Sequence, residues 1–331
     1  MRIRTAVQDV RLAARIVERR PLLYAGGASA ALDRPAHVRA ASGLAWVGTE
    51  LAVVQDDAAF LALCDPASGR VRGVPLPRGP GGHRQFDDAR GNKADKLDLE
   101  AVFVAGGLLV GLGSGATPAR RRALVCDAGG AGARIADAGE LYLAMEAVGE
   151  LAGSELNLEG AAALADGRLR LFQRGNGDPA RARPPVDATL DLALGELLAY
   201  LAGAGPAPRV DAALVTQYRL GEQAGVRLTF TDAAMGDRLH YLACAERSPD
   251  AVRDGEVVGS AIGVFDEVDG DRPLRFAPLT GGDGEPVAVK AEGLAFGPDG
   301  VAWVVLDADD PARPSDLCRV ELAGPWSAPA T

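Results

Sequence analysis

Three glutamates of this 331-residue chain stand in one recurring phrase: Glu100 in KLDLEAVFV, Glu159 in ELNLEGAAAL and Glu292 in VKAEGLAF. Each opens a short apolar run that leads through a turn into a second apolar run and then a polar residue. Two further copies open at Ser42 (SGLAWVGTELAVVQDD) and Thr231 (TDAAMGDRLHYLACAE). The second runs close at Asp57, Ser114, Arg174, Glu246 and Asp307. The interval between the two slots is fifteen positions in four copies and fourteen in the Glu100 copy, as if only that hairpin turn were one residue shorter.

Carboxylates gathered in a confined space raise one another's pKa unless a cation lies between them. Oxygen-only ligand sets suit Ca²⁺, Mg²⁺ or Mn²⁺, so Glu100, Glu159 and Glu292 are candidate ligands for calcium or another divalent cation. Arg174, in FQRGNG, and Lys93, Lys96 and Lys290, ahead of the inner runs, are the candidate counter-charges if no metal binds. Glu159 and Arg174 form the candidate catalytic pair. Lys93, Lys96, Asp57, Ser114, Glu246 and Asp307 are expected to line the same mouth, where a small molecule would bind. A purely structural reading stands beside these: a Glu at a strand start hydrogen-bonds backbone amides and locks neighbouring units, and the Gly that follows permits close approach.

The elements that must position these residues follow from the repeat. Its copies open roughly 60 residues apart, and a unit of that size with three or four strands cannot bury both sheet faces alone. Five such units packed around an axis make an all-β chain, a single β-propeller over residues 1–331 with about five blades, six if the first 40 residues hold a degenerate copy. In a propeller the loop entering the inner strand and the loop leaving the second strand share one face, which brings the two polar slots together at one mouth of the central channel. After the last copy only ELAGPWSAPAT remains, too poor for an outer strand. The N-terminal VRLAARIV is expected to supply it and close the ring. Residues 187–203 are ambiguous between strand and helix.

Composition narrows the function. The 42 Gly and 21 Pro are spread as turn dipeptides, which suits many short strands. A formal charge of −10, from 45 acidic and 35 basic residues, argues against general nucleic-acid binding, which needs clustered Lys and Arg. No apolar run is long enough for a membrane span or signal peptide, so a cytoplasmic protein without membrane contact is expected. The cysteines Cys64, Cys126, Cys244 and Cys318 lack zinc spacing and read as buried thiols, three of them at similar places in a third strand. The loop Gly111–Gly115 lacks the Gly-Lys-Ser/Thr of a phosphate cradle. Arg120–Arg122 read as a solvated strand entry. There is no GxSxG or HExxH motif, and His37, His83 and His240 are far apart.

At KLDLEAVFV, ELNLEGAAAL and VKAEGLAF the chain resembles bacterial propellers of the phytase-like or "esterase-like activity of phytase" type, and relatives in the same loose group as the SdiA-regulated proteins. Those families repeat an Asp-(hydrophobic)-Glu-Gly-(hydrophobic) phrase at inner strands. The resemblance spans residues 40–320 as architecture and implies that Glu100, Glu159 and Glu292 fill the repeated Glu slot. Some such propellers bind calcium and hydrolyse phosphate or other esters. This chain departs at Ser42 and Thr231, and at Ala101 after Glu100. The functional expectation is therefore a metal-dependent phosphate-ester or carboxylic-ester hydrolase, against the alternative of a non-catalytic scaffold that binds a ligand or a protein partner through the same face.

Overall fold

A computed structural model, which describes residues 2–253 and 255–327, shows five four-stranded blades. Ahead of them run two N-terminal strands, β1 (Arg2–Gln8) and β2 (Ala13–Pro21). Blade 1 is β3 (Ala41–Val47), β4 (Glu50–Gln55), β5 (Phe60–Cys64) and β6 (Val71–Pro75). Blade 2 is β7 (Leu99–Ala105), β8 (Leu108–Gly113), β9 (Arg122–Asp127) and β10 (Arg134–Asp137). Blade 3 is β11 (Leu158–Ala163), β12 (Arg168–Gln173), β13 (Asp187–Ala193) and β14 (Val215–Arg219). After the short β15 (Glu222–Gln223), blade 4 is β16 (Val226–Met235), β17 (Leu239–Glu246), β18 (Val257–Val264) and β19 (Leu274–Thr280). Blade 5 has β20 (Lys290–Phe296), β21 (Ala302–Asp307) and β22 (Asp316–Ala323).

The fourth strand of blade 5 is β2, antiparallel to β22 from Ala13↔Ala323 to Pro21↔Asp316. The N-terminus thus closes the ring, as the poor C-terminal tail requires. Strand β1 does something the sequence did not announce. It runs parallel to β14 of blade 3 at Arg2–Thr5 and to β19 of blade 4 at Ala6–Gln8, joining two outer edges. Among the described residues, the first 40 positions therefore hold no sixth blade.

The inner strands β3, β7, β11, β16 and β20 touch one another in ring order, β20 meeting β3. Apolar side chains fill the wedges between blades in five clusters, one per interface. This explains the continuous apolar runs: in β4, Leu51 and Val53 face blade 5 while Ala52 and Val54 face blade 2. Full burial of a side chain such as Leu or Val contributes about 1.5–3 kcal/mol, so each strand draws stability from both faces.

Cys64, Cys126 and Cys318 lie buried in third strands β5, β9 and β22, and Cys244 in β17. Helices α1 (Gly139–Glu146), α2 (Gly149–Ala152) and α3 (Leu194–Leu201) cover the blade 2/3 wedge with Leu141, Tyr142, Leu151 and Leu197. The ambiguous 187–203 segment resolves into strand β13 followed by α3. No helix of the described residues is long and apolar enough to cross a membrane.

Candidate functional site at the channel mouth

One backbone device repeats in all five blades. The pairing of each inner strand with its second strand slips by one residue, and the extra residue is Ser42, Glu100, Glu159, Thr231 or Glu292. A β-bulge leaves its residue out of the ladder and re-aims the side chain. The polar slot seen in the sequence is this bulge. The residue after it is crowded by the next blade: a Cβ on Gly43 would stand 2.5 Å from the Glu100 carbonyl oxygen, and one on Gly160 would stand 2.9 Å from the Ala233 nitrogen.

The same bulge carries two chemistries. In blades 1 and 4 the slot hydroxyl donates to a backbone carbonyl of the next blade, Ser42 to Leu99 and Thr231 Oγ1 to Ala291 at 2.6 Å. In blades 2, 3 and 5 the slot glutamates line a cavity of about 50 Å³ at the channel mouth, enough for a very few waters or an ion. Its walls carry eight carboxylates, Asp56, Asp98, Glu100, Glu159, Glu246, Glu292, Asp307 and Asp309, against five cations, Lys96, Arg120, Arg174, Arg253 and Lys290.

The cations are committed to particular acids. Lys96 Nζ lies 2.5 Å from Asp56 Oδ1 and 2.6 Å from Asp98 Oδ1. Arg120 Nη1 lies 2.9 Å from Asp98 Oδ2, to which Ser114 also donates. Arg174, only 3% exposed, donates from Nη2 to Glu246 Oε2 at 2.5 Å, from Nη1 to Glu159 Oε1 at 3.4 Å and from Nε to Thr229 at 3.2 Å. Asn157 Nδ2 donates to Glu159 Oε1 at 2.6 Å. Lys290 Nζ lies 2.9 Å from Asp309, 3.5 Å from Glu292 and 3.9 Å from Glu246. Asp307 accepts from Ser315 Oγ and the Asp309 amide.

Glu100 is the exception, with no donor or ion-pair partner among the described residues. Its carboxylate packs within 4.8 Å of those of Asp56 and Asp98. Burial first, then the charge of Glu159, pushes its pKa well above the ordinary range. Burial likewise raises Glu292 against the pull of Lys290, and Glu159 against Arg174. Asp56 is pushed up to about 8, by burial that Lys96 only partly offsets. Burial also pushes Asp98 and Glu246 upward, but their cations overcome it and hold both below the usual values.

Most residues singled out in the sequence meet here: Glu100, Glu159, Glu292, Lys96, Arg174, Glu246 and Asp307 line the cavity, and Ser114 sits behind Asp98. Two do not. Lys93 lies in a neighbouring cavity, 3.4 Å from Asp88. Asp57 lies there too, gripped by Arg39 at 2.8 Å, and Asp56 takes its place at the mouth. The reason is a turn: blade 1, like blade 2, has a two-residue hairpin, with Val47↔Glu50 and Ala105↔Leu108 paired across it, so the fifteen-position count overshoots by one.

Sequence reasoning also missed Asp98 and Asn157, although with Lys290 they share the position two before the slot Glu. That position in LDLE, LNLE and KAE was the available signal. Arg120, taken for a solvated entry residue, is buried against Asp98.

Residues 37–322 match the model of a family described as a family of unknown function, DUF6929. The chain belongs to the DUF6929 family. No curated protein matches it. Among solved structures, this DUF6929 chain is similar to a glucose dehydrogenase, at 13% identity and TM-score 0.44 over 86% of this chain and 97% of the other. It is also similar to a carbohydrate-active enzyme of family AA12 from Trichoderma reesei, at 11% identity and TM-score 0.44 over 95% and 97%. A third is a putative gluconolactonase, at 12% identity and TM-score 0.37 over 83% and 72%. At these values nothing about this DUF6929 protein is taken from the likeness.

Proposed function

We propose that the channel mouth binds a divalent cation on the side of Glu100, Glu159 and Glu292, and that the loaded site hydrolyses a small ester. The observation that carries this is Glu100, a buried carboxylate that no donor reaches among the described residues. A buried, unpaired charge is costly enough that a group either takes up a proton or acquires a partner. The donor set suits a hard ion, because oxygen ligands predominate. Lys96 is shared by Asp56 and Asp98 and only partly offsets the burial of Asp56, so the unmet demand for positive charge centres on Glu100 beside it.

A bound divalent cation would polarise an ester oxygen and lower the pKa of a water molecule. The chain's own groups supply the rest. Asn157 and Arg174 fix Glu159, leaving its other oxygen for a ligand. Glu100, whose carboxyl is held by burial well above the ordinary pKa range, is placed at the cavity wall where a general acid or base would stand. Arg174 is enclosed by Glu159, Glu246 and Thr229, so it balances charge and orients Glu159. The phytase-like resemblance is compatible with this reading and adds calcium as the first ion to try.

Calorimetric titration with Ca²⁺, Mg²⁺ and Mn²⁺ after chelator treatment tests the proposal. Saturable binding, lost in Glu100→Gln and raising the melting temperature of the wild type, is expected. Absence of binding for all three ions, with melting indifferent to EDTA, would leave the non-catalytic scaffold as the better account.

A further inference from the structure

A second cavity of about 470 Å³ opens beside the channel mouth and shares Asp56, Lys96, Asp307 and Asp309 with it. It is roomy enough for a small organic molecule, which the channel void is not. Its wall carries seven carboxylates, Asp56, Asp57, Asp87, Asp88, Asp307, Asp309 and Asp310, and four cations, Arg39, Arg90, Lys93 and Lys96. Every one of those cations is engaged. Arg39, 3% exposed, lies against Asp57 and, at 3.1 Å, Asp87. Arg90 also pairs with Asp87, Lys93 with Asp88, and Lys96 with Asp56 and Asp98.

We infer that this antechamber seats a carboxylic ester whose non-reacting part is uncharged or cationic and bears hydroxyl or ammonium donors. The inference rests on the proposed ester chemistry and decides between its two substrate classes. A phosphate ester brings up to two negative charges and needs Arg or Lys donors; Arg39 and Lys96 are buried against their acids, Arg90 and Lys93 each face a wall aspartate, and seven carboxylates against four cations disfavour anions on approach. Ionised carboxylate oxygens are acceptors only, so what the ionised members of the wall recognise is a donor. In the reaction, the oxygen of a water molecule bonds to the acyl carbon as the ester C–O bond breaks. The proton lost by the water goes to the departing alkoxide, giving an alcohol and a carboxylic acid.

The test measures kcat/KM of the full chain with calcium present on glycerol monoacetate, acetylcholine, monomethyl succinate and p-nitrophenyl phosphate, with calcium affinity followed by calorimetry. The expected result is a preference of about tenfold or more for the first two, as an acidic cleft gives. Asp88→Lys, at a side chain 85% exposed, should narrow that preference severalfold while calcium affinity stays unchanged. Equal or faster turnover of the phosphate or the succinate ester overturns the assignment. So does a protein that binds calcium and hydrolyses neither donor-bearing ester, an outcome that leaves the cation site standing. The expected preference without calcium binding would support the substrate class and remove the cation.

Discussion

Blades 1 and 4 differ from blades 2, 3 and 5 at a single position of an otherwise shared device. The bulge is present in all five, so its backbone is an architectural requirement of the inner strand, whichever residue fills it. A hydroxyl there reaches sideways and ties one blade to the next, as Ser42 and Thr231 do. A glutamate there lines the channel cavity with its neighbours. The repeated slot therefore has two uses: a hydroxyl tie between blades at Ser42 and Thr231, and a place on the cavity wall at Glu100, Glu159 and Glu292. What separates them is reach: the hydroxyls end on the neighbouring backbone, and the glutamates extend to the cavity wall.

Substitutions can break this contrast. The largest effect is expected on the glutamate side, where Lys96→Met leaves Asp56 and Asp98 without their shared ammonium; loss of one partner of a buried ion pair costs about 3–5 kcal/mol. Chemical denaturation would register it, and a change below about 1 kcal/mol would mean the cluster is more hydrated than its burial implies. On the hydroxyl side, Thr231→Val should cost about 1–3 kcal/mol by leaving the Ala291 carbonyl unpaired, with no change in cation binding. Altered calcium affinity in that variant would erase the distinction between the two kinds of blade. The smallest effect belongs to Lys93, outside the channel mouth and paired with the exposed Asp88: Lys93→Ala should stay within about 0.5 kcal/mol in stability and leave calcium affinity untouched.

What could be read from the chain was whatever the repeat itself enforces. The apolar two-strand phrase marked every blade, and the missing outer strand after Glu321 pointed to the N-terminus as its source. The slot glutamates stood out because the bulge recurs at one point of the phrase. What escaped was set by register and by distance. Asp56 was displaced by Asp57 because hairpin length, which only pairing reveals, fixes which residue emerges at the mouth. Arg120 reaches Asp98 from the loop between β8 and β9, whose sequence is not repeated in the corresponding loops of the other blades. Strand β1 is amphipathic at best, with Ile3 and Val7 exposed, and its parallel pairing to two separate blades leaves no local pattern.

The central claim is that the channel mouth holds more buried negative charge than its own cations balance. It is tested most directly by the melting temperature of chelator-treated protein across pH, with and without calcium. Asp56, Glu100 and Glu292 have pKa values raised in the folded chain, so the fold binds their protons more tightly than the unfolded chain does. Their contribution is fully present below the unfolded carboxyl values near about 4 and is lost as pH rises through the folded ones, about 8 for Asp56. The metal-free protein should therefore melt progressively lower from about pH 5 to about pH 9, and calcium should flatten that fall. A metal-free melting temperature that stays level or climbs over this range, with calcium making no difference at its upper end, would contradict the account.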